Sequence, residues 1–424
     1  MINRLKKLSP QFKRILKASS VLAKSSGFGI YLVGGVVRDL ILKRKVFDLD
    51  IVVEGSAIIF AKKLSGSLRS EFRKHHSFGT AAINFEGHKI DFATARTETY
   101  SRQGALPKVS PASLAKDFLR RDFTINAMAV SLNKTDYGRL IDLCNGLEDL
   151  NKGLIRVLHP KSFQDDPTRI LRAIRFEQRF SFKIEPRTLK LIKEAIESQS
   201  LELVGPHRLR DEIILILKEP KPSGYIKRIK ELAGFSFIDK GIKIDKKSFS
   251  LFTRIEKAST YYQKRFKKHR KPETWLLYLA ALLIKLSPLQ LKKFFHDFGF
   301  RKGERDIVNS IAKSINKIKR LGEYSKASDI YRTLQPYSFE SILFFYAYYQ
   351  KKSLRKNIEH FLDKLVDIRL KIKGRDLKAM NLKPDILYNK ILKKTLYSKI
   401  DKGLKSKRQE AEEVKRIFRR QRRT

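Results

Sequence analysis

Two acidic residues at the start of an apolar run constrain the fold of this chain more than any other feature. Asp48 and Asp50 lead into Ile51-Val52-Val53, which has the composition of a buried strand. Side chains on a strand alternate between its faces, so we expect both carboxylates to project side by side from one face. Such a pair repels unless a cation neutralises it, and Mg²⁺ accepts carboxylate oxygens while it also holds phosphates. We therefore predict a strand that carries a magnesium site.

A Gly-Gly turn precedes these acids. Residues 31–33 (Tyr-Leu-Val) read as a strand, Gly34 and Gly35 form its turn, and Arg38 lies one turn into the helix that follows. Backbone N–H groups at a helix N-terminus attract phosphate, and a nearby arginine adds to this attraction. Each part alone is common chain geometry, but the strand, turn, helix and acidic strand together predict a site for nucleotidyl transfer.

The charge of the chain indicates a polyanionic partner. Lys and Arg total 92 against 44 Asp and Glu, which gives a formal net charge of +48 over 424 residues. A lysine bias of the source genome is the alternative explanation. Acidic residues do not rise alongside the lysines, as a general preference for charged surfaces would require. A chain of this length accommodates two to four domains.

The cysteine content and the lengths of the apolar runs indicate the cellular compartment in which the protein is expected. Cys144 is the single cysteine, so a disulfide within the chain and a zinc site made of several thiolates are both excluded. The basic N-terminal stretch is interrupted by charged residues and lacks the apolar centre of a signal peptide. No run approaches the roughly 20 apolar residues of a membrane span. We expect a cytoplasmic protein without a membrane segment.

Hydrophobic periodicity divides the chain into an α/β part and a helical part. Before residue 142 the pattern predicts a helix at 57–64, strands at 31–33, 68–72, 80–85 and 89–95, and a mobile loop at 97–112 that is too long and too broken for a hairpin. After residue 142 strand signals fade. The pattern there predicts successive helices, among them 168–180, 185–198, 207–217 and 275–285.

A second polar motif follows the α/β part. Arg121 and Asp122 begin a segment in which Asn126 comes four residues after Asp122. If the segment is a helix that Asp122 caps, Asp122 and Asn126 share a face and both reach one ligand, such as a pair of ribose hydroxyls. A helix cap with a surface amide explains the same residues.

A third motif begins with the paired acids Asp165 and Asp166 before a proline, which is ordinary chemistry for the start of a helix. Asp166 and Arg169 lie three residues apart, so we expect their side chains to brace each other. Arg172 and Arg175 continue that face at helical spacing. A rigid polar edge of this kind can read the hydrogen-bonding edge of a base, although an exposed face of salt bridges remains the alternative.

Together these stretches resemble the class II tRNA nucleotidyltransferases, the CCA-adding enzymes, and their bacterial poly(A) polymerase relatives. The resemblance extends over roughly residues 31–217. It rests on these motifs, in family order: Gly34-Gly35-x-x-Arg38-Asp39, Asp48-x-Asp50, Phe78-Gly79-Thr80-Ala81, Arg120-Arg121-Asp122-x-x-x-Asn126-Ala127, Asp165-Asp166-x-x-Arg169 and Arg208-x-Arg210-Asp211-Glu212.

The resemblance implies an α+β fold. An N-terminal nucleotidyltransferase head of the DNA polymerase β-like type, with a small mixed β-sheet, would be followed by an all-α neck, body and tail. The implied divisions are 1–141 for the catalytic head, 142–218 for the neck that recognises the base, 219–320 for the body and 321–424 for a basic tail that binds tRNA.

The resemblance also implies roles for individual residues. Asp48 and Asp50 would bind Mg²⁺, with Asp91 as a weaker candidate for a third catalytic carboxylate. The implied nucleotide-binding residues are Gly34, Gly35 and Arg38 at the triphosphate, Asp122 and Asn126 at the ribose, Asp165, Asp166, Arg169, Arg172 and Arg175 of the base-reading motif and the arginine stripe that follows it, and Arg121, which is assigned to no particular part of the nucleotide. The implied partners are the tRNA acceptor end, ATP and CTP.

One departure from the family and several alternatives remain at this point. Asp165 stands where the family usually has Glu, which withdraws a carboxylate by about 1.5 Å. The loop at 96–111 is present, which by resemblance argues against CC-only addition, and residues 76–80 differ from the corresponding stretch of poly(A) polymerases. These features argue against CC-only addition and poly(A) synthesis. Between the remaining two activities the loop residues do not decide, and we favour CCA addition over A-only addition partly because it is the commoner arrangement in the family. A non-catalytic RNA-binding protein and an enzyme that modifies small molecules are further alternatives.

Overall fold

A computed structural model describes residues 1–324, 326–380 and 387–421. These residues form two compact units. The first comprises residues 1–219 and 224–238, and the second comprises residues 220–223 and 239–424. Among the described residues, no helix is both long and apolar enough to cross a membrane. The division into head, neck, body and tail stays a prediction, and residues 325, 381–386 and 422–424 of the predicted tail lie outside the described residues.

The first unit combines short strands and helices. Its strands are β1 (Gly29–Val33), β2 (Leu49–Glu54), β3 (Glu71–His75), β4 (Thr80–Phe85), β5 (His88–Thr94), β6 (Arg96–Thr99), β7 (Lys108–Pro111), β8 (Met128–Ser131), β9 (Leu140–Asp142), β10 (Leu154–Ile155) and β11 (Lys183–Ile184). Its helices are α1 (Ile2–Leu5), α2 (Pro10–Ser26), α3 (Gly35–Ile41), α4 (Ala57–Leu68), α5 (Leu114–Leu119), α6 (Gly146–Lys152), α7 (Ser162–Asp165), α8 (Thr168–Phe180), α9 (Pro186–Glu197) and α10 (Pro206–Leu217). Helix α11 (Pro222–Leu232) begins in the second unit and ends in the first.

Seven of these strands form one mixed sheet in the order β3-β4-β5-β2-β1-β8-β9. Strands β2 and β5 are parallel neighbours, whereas the other neighbouring pairs are antiparallel. The sheet extends to Asp142, one residue past the predicted end of the head. The head with a mixed sheet followed by a mainly helical chain confirms the predicted fold class, with the short parallel pair β10–β11 as an addition to the helical part.

Local sequence explains where the predicted helices begin and end. Helix α8 has the predicted bounds, because Asp166 accepts hydrogen bonds from the Thr168 N–H and hydroxyl at its start, and Ser181 adopts a left-handed conformation (φ +57°) at its end. Helix α4 continues to Leu68, so β3 begins later than the predicted 68–72.

The segment predicted as a mobile loop is a hairpin. Strands β6 and β7 pair antiparallel with Arg96 opposite Pro111 and Thr99 opposite Lys108. The prediction was wrong because the eight-residue connection at 100–107 exceeds the usual hairpin turn, so its local signal is weak. Contacts with distant residues hold this connection in place. The Gln103 amide donates a hydrogen bond to the Ser200 hydroxyl, and Arg208 donates one to the Gly104 carbonyl.

The second unit is helical in its described part. Its helices are α12 (Lys246–Arg265), α13 (Thr274–Leu283), α14 (Pro288–Phe298), α15 (Lys302–Ile318), α16 (Ala327–Leu334), α17 (Phe339–Tyr348), α18 (Lys352–His360), α19 (Gly374–Ala379), α20 (Leu387–Lys402) and α21 (Lys407–Gln421). Helix α13 is buried on all sides and α17 nearly so, which marks them as the centre of this unit. Residues Ile372, Leu377, Ile391, Val414 and Ile417 form a separate apolar cluster near the C-terminus.

Candidate active site

A cavity of about 890 Å³ opens in the first unit where β2 and β5 run side by side. This volume lies within the range of small-molecule sites in proteins. Its wall combines the end of β1, the start of α3, strands β2 and β5, the segment 120–126, and helices α8 and α10. A nucleotide in this cavity would therefore contact both the sheet and the first helices that follow it.

Most of the predicted site residues meet at this cavity. Those that line it are Gly34, Gly35, Arg38, Asp50, Asp91, Arg121, Asp122, Asn126, Asp166, Arg169, Arg172 and Arg175. Asp48 and Asp165 are not among the lining residues. Asp165, the residue that departs from the family pattern, pairs instead with His159, whose Nε2 is 3.7 Å from its Oδ2.

Parallel pairing brings Asp50 and Asp91 together. The two residues are direct partners in the register of β2 and β5, so their side chains leave the same face of the sheet. Asp50 is exposed at the cavity, where the surrounding protein still removes part of its hydration and so raises its pKa; Asp91 and Asp48 raise the pKa further, and the positive charge of Arg121 opposes them. Lys89 Nζ, 2.7 Å from Asp91 Oδ2, neutralises part of the negative charge, but Asp48, Asp50 and Asp91 still lie close together. This edge of the cavity therefore concentrates negative charge.

Asp48 does not lie on the predicted strand. Strand β2 begins at Leu49, and Asp48 is an exposed residue of the preceding connection. Its carboxylate is nevertheless close enough to Asp50 to raise the pKa of that group. The predicted strand position of Asp48 was wrong by one residue, but its carboxylate does interact electrostatically with that of Asp50.

The acidic edge fits a divalent cation of the magnesium type. A cation would relieve the repulsion that raises the pKa of Asp50. In the described part of the chain, no group of three or more His, Cys, Asp or Glu side chains converges on one point that could hold a metal ion. Mg²⁺ suits such an open edge, because it commonly takes one or two carboxylates and completes its shell with water and substrate phosphates.

The Gly34 turn requires glycine. Gly34 has φ +70° and ψ −134°, and a Cβ added there would lie 3.0 Å from Arg121 Nη1. Its N–H donates to the Met128 carbonyl (3.2 Å), which ties the turn to β8. The guanidinium of Arg121 therefore lies directly beside the backbone of the turn.

Arg38 lines the cavity but is engaged with protein groups. Its guanidinium is bonded to Asp39 Oδ1 (2.9 Å) and donates to Asn126 Oδ1 (2.5 Å), and it lies 4.6 Å from the ring centre of Phe180. Burial lowers its pKa, although Asp39 opposes this effect. The predicted contact of this arginine with phosphate stays a prediction, and in the structure its Nη1 also holds the Asn126 side chain.

Asp122 and Asn126 meet without the predicted helix. Residues 124–126 form a single 3₁₀ turn between Asp122 and β8. Asp122 Oδ1 accepts from the Phe123 N–H (2.8 Å) and from Asn126 Nδ2 (3.0 Å). The helical expectation was wrong because the hydrogen bonds of the Asp122 side chain replace the first turn of a helix.

Helix α8 supplies the strongest ion pair of the site. Arg172 donates to Asp122 Oδ2 from Nε (2.9 Å) and Nη2 (2.5 Å), and from Nη1 to Glu212 Oε1 (3.1 Å). Burial opposes the charge of Asp122, but Arg172 and Asn126 lower its pKa to about 2. The pair joins the segment 120–126 to α8, and Glu212 joins both to α10. Arg175 also contacts Glu212, at 3.2 Å.

Asp166 and Arg169 line the same cavity but do not brace each other through their side chains. Asp166 pairs with Arg208 of α10 (2.7 Å), and Arg169 donates to the Ser162 hydroxyl (2.7 Å) and to the Arg120 carbonyl (2.6 Å). The expected pair was wrong because side chains outside α8 offer each residue a partner. Both are nonetheless held in place, as a polar edge that reads a base requires.

Sequence reasoning missed several residues of the cavity wall. Arg208, Glu212, Arg120, Glu98 and Tyr100 all line it. Arg208 and Glu212 belong to a motif that carries the family resemblance, but spacing within α10 gives no sign of their partners Asp166 and Arg172. Glu98 and Tyr100 come from the hairpin that was predicted to be a loop. Their hydroxyl-to-carboxylate hydrogen bond (2.9 Å) had no detectable signal in the sequence.

Two known family models match this chain, one in the N-terminal part of the first unit and one in its C-terminal part. Residues 30–156 match the family model described as "Poly A polymerase head domain", which contains the strands of the mixed sheet. Residues 181–238 match the model described as "Probable RNA and SrmB- binding site of polymerase A". The sheet side of the cavity therefore belongs to the matched head domain, whereas α10 belongs to the second matched region and α8 lies between the two.

Full-length relatives define the family more closely. The A-adding tRNA nucleotidyltransferase of Halalkalibacterium halodurans is 30% identical over 89% of this chain and 86% of the relative. The solved structure of the Thermotoga maritima CCA-adding enzyme complexed with tRNA has 32% identity, a TM-score of 0.76, and coverage of 98% of both chains. The chain belongs to the family of tRNA nucleotidyltransferases that includes A-adding and CCA-adding enzymes.

Some relatives are much longer. The A-adding tRNA nucleotidyltransferase of Aquifex aeolicus is 38% identical over 87% of this chain, but the match spans only 45% of that protein. This chain therefore corresponds to less than half of that relative.

Proposed function

We propose that this chain adds the CCA sequence to the 3′ end of tRNA, transferring CMP from CTP and AMP from ATP and releasing pyrophosphate. One observation carries the proposal. A single cavity joins the acidic edge at Asp50 and Asp91 to the polar edge at Asp166 and Arg169. The first edge suits the phosphate end of a nucleoside triphosphate with its cations, and the second suits a base.

The acidic edge is the proposed place of phosphoryl transfer. Asp48 and Asp50 would hold Mg²⁺, with Asp91 next to them on β5. Bound magnesium ions would lower the pKa of the RNA 3′-hydroxyl and stabilise the pyrophosphate leaving group. The 3′-hydroxyl would attack the α-phosphate in line with the leaving pyrophosphate, and the carboxylates would serve by holding the cations.

The turn at Gly34 and Gly35 is the proposed cradle of the triphosphate. The absence of side chains lets phosphate approach the backbone closely, and Arg121 beside the turn supplies positive charge. Because Arg38 is buried and bonded to Asp39 and Asn126, we assign it the indirect role of fixing the Asn126 amide. Asn126 and Asp122 would then offer a fixed donor and acceptor to the ribose hydroxyls.

Helices α8 and α10 are the proposed reader of the base. Arg169 and Asp166 offer a donor and an acceptor at the cavity wall, and their bonds to Ser162 and Arg208 hold them in place. A base that pairs with both would be selected by hydrogen bonds that the wrong base leaves unmade. Arg172 and Arg175 contribute by fixing Glu212 and Asp122 rather than by facing a ligand as free cations.

The excess of positive charge supports tRNA as the polyanionic partner. Exposed lysines and arginines would contact phosphates, so binding should weaken steeply with salt. A tRNA-processing role and a single half-buried cysteine are consistent with the proposed cytoplasmic location. The similarity to tRNA nucleotidyltransferases, and to the Thermotoga maritima CCA-adding enzyme whose structure was solved with tRNA, supports the same substrate class.

A-only addition is the second candidate function. Its specific support is that relatives matching most of this chain at 30% and 38% identity are A-adding enzymes. The cavity suits either reaction, because both end with the transfer of AMP. The hairpin β6–β7 also suits both, since the resemblance associates its presence with the ability to use ATP.

Three tRNA substrates separate the candidates. We expect the purified chain to extend tRNA that lacks CCA, CA or only A, with both CTP and ATP required for the first two. Denaturing gels with labelled CTP or ATP, singly and together, measure the outcome. Incorporation only on the tRNA that lacks the terminal A would replace the proposal with A-only addition. Long A tails on unrelated RNA would indicate poly(A) synthesis, and an absence of incorporation would contradict an enzymatic role.

A further inference from the structure

A buried carboxylate behind the cavity joins two of its arginines. Asp117, on α5, has no exposed side-chain surface. Its Oδ1 accepts from Arg120 Nε (2.8 Å), and its Oδ2 accepts from Arg121 Nη2 (2.8 Å) and Nε (3.2 Å). Asp117 itself does not line the cavity, whereas Arg120 and Arg121 do. One carboxylate therefore sets the position of two adjacent guanidinium groups.

The same carboxylate also contacts the start of the hairpin. Asp117 Oδ1 accepts from the Arg96 N–H (3.2 Å), and Arg120 Nη1 continues to Glu98 Oε1 (3.1 Å). Burial alone would raise the pKa of Asp117, but Arg121 and Arg120 outweigh it and hold the pKa below its ordinary value. The carboxylate is thus charged, and its partners lie on both sides of it.

Arg121 is the partner closest to the proposed triphosphate site. Its Nη1 donates to the Asn126 carbonyl (3.3 Å) and lies 3.0 Å from the position of a Cβ on Gly34. An arginine side chain has many rotamers, and without a fixed partner it would lose the geometry that lets its fork meet a phosphate. Asp117 holds the Nε and Nη2 edge, which leaves the Nη1 edge directed to the turn.

We propose that Asp117 is a positioning residue for nucleotide binding, which fixes the Arg121 guanidinium against the Gly34 turn so that it meets the phosphates of the incoming nucleotide. This inference rests on the proposed function, because it takes the turn as the triphosphate cradle. It adds a residue that lies outside the motifs on which the family resemblance rests and that touches no ligand.

A matched control is available in the same unit. Asp149, on α6, is also a buried carboxylate, and it accepts from Arg156 Nε (3.0 Å) and from the Thr124 hydroxyl (2.6 Å). Neither Asp149 nor Arg156 lines the cavity. Asp149→Asn therefore measures what the loss of a buried carboxylate does to the unit when no cavity arginine depends on it.

The test compares ATP binding by the full chain in a double-mutant cycle. We expect Asp117→Asn and Arg121→Ala each to weaken ATP binding about 10- to 100-fold. When Arg121 is already Ala, we expect Asp117→Asn to change ATP binding by less than about 2-fold. Thr124, a partner of Asp149, belongs to the segment 120–126 but does not itself line the cavity, so Asp149→Asn should weaken ATP binding by less than about 2-fold. Equal effects of the two Asn variants, additive effects in the cycle, or unchanged ATP binding by Asp117→Asn would overturn the proposal.

Two further measurements keep the result interpretable. If Asp117→Asn does not fold, Arg121→Lys decides, because an ammonium cannot bridge Asp117 and the Asn126 carbonyl. We expect Arg121→Lys to weaken ATP binding. If this variant binds ATP as tightly as the wild type, the inference is overturned. Binding is read without tRNA or turnover, so a chain that binds ATP in this Asp117-dependent way but extends no tRNA would contradict the proposed function alone.

Discussion

Replacing Asp50 with asparagine is expected to abolish nucleotide addition while leaving tRNA binding intact. The change removes the charge at the centre of the acidic edge but keeps the size of the side chain and its place on β2. Charge stabilisation at the reacting phosphate contributes several kcal/mol, so we expect AMP incorporation to fall by at least about 1,000-fold. Incorporation of labelled AMP into tRNA that lacks its terminal A measures the rate, and a gel shift measures tRNA binding.

The control for this prediction is Asp136→Asn. Asp136 is a carboxylate of the same unit that bonds to the Ser131 hydroxyl and lies outside the cavity. We expect this variant to incorporate AMP like the wild type. If Asp50→Asn retains activity within tenfold of the wild type, or if both variants lose it equally, the acidic edge is not where phosphoryl transfer occurs.

Replacing Asp122 with asparagine is expected to destabilise the first unit severely. Asp122 is 8% exposed and holds Arg172, so the variant removes one of the two carboxylates that pair with this guanidinium and leaves only Glu212. Breaking a fully buried ion pair costs about 3–5 kcal/mol, and we expect about 2–3 kcal/mol here, because Arg172 is partly exposed and keeps its second partner. We expect hydrogen exchange in α8 and β8 to become faster by a corresponding factor. Glu148→Gln, which removes only an exposed pair with Lys152, should leave this exchange unchanged.

The second unit provides an internal reference for this experiment. Trp275 is the single tryptophan and lies on α13, so its fluorescence reports unfolding of the second unit. The urea concentration at which Trp275 fluorescence reports half unfolding of the second unit should be the same in Asp122→Asn and in the wild type. Unchanged exchange in α8, or an equal loss in both units, would contradict the assignment of Asp122 as the local link.

The pH dependence of the same pair has a defined sign. The folded-state pKa of Asp122, about 2, lies below the ordinary value of 3.8. The carboxylate therefore adds stability that is fully present above pH 3.8 and is lost as the pH falls toward 2. A shift of this size corresponds to about 2 kcal/mol. In Asp122→Asn this acid-induced loss should be missing from the exchange of α8.

Patterns along the chain predicted the elements better than the contacts between them. Helix α8 was predicted at its exact bounds, because its apolar period and its flanking residues Pro167 and Ser181 are local signals. Asp91 was the weaker candidate in the sequence, yet it is the direct neighbour of Asp50. Parallel pairing of β2 with β5 depends on the whole sheet, and no spacing within either strand reveals it.

The hydrogen-bond partners of the α8 arginines could not be predicted from the sequence either, because they too depend on how distant segments pack. The stripe Arg169, Arg172 and Arg175 was visible as helical spacing, but Asp166 pairs with Arg208 and Arg172 pairs with Asp122. These bonds join residues about 40 and 50 positions apart, so they depend on how α8 and α10 pack against the segment 120–126. The arginines that seemed free to read a base are for the most part already bonded.

Binding of Mn²⁺, a paramagnetic substitute for Mg²⁺, tests the central claim most directly. Electron paramagnetic resonance can follow the free ion during titration of the wild type, the double variant Asp48→Asn with Asp50→Asn, and the control Asp136→Asn, all without nucleotide. We predict that the wild type and the control bind Mn²⁺ with the same affinity and that the double variant loses this binding. Equal binding by all three proteins would contradict a metal site at Asp48 and Asp50.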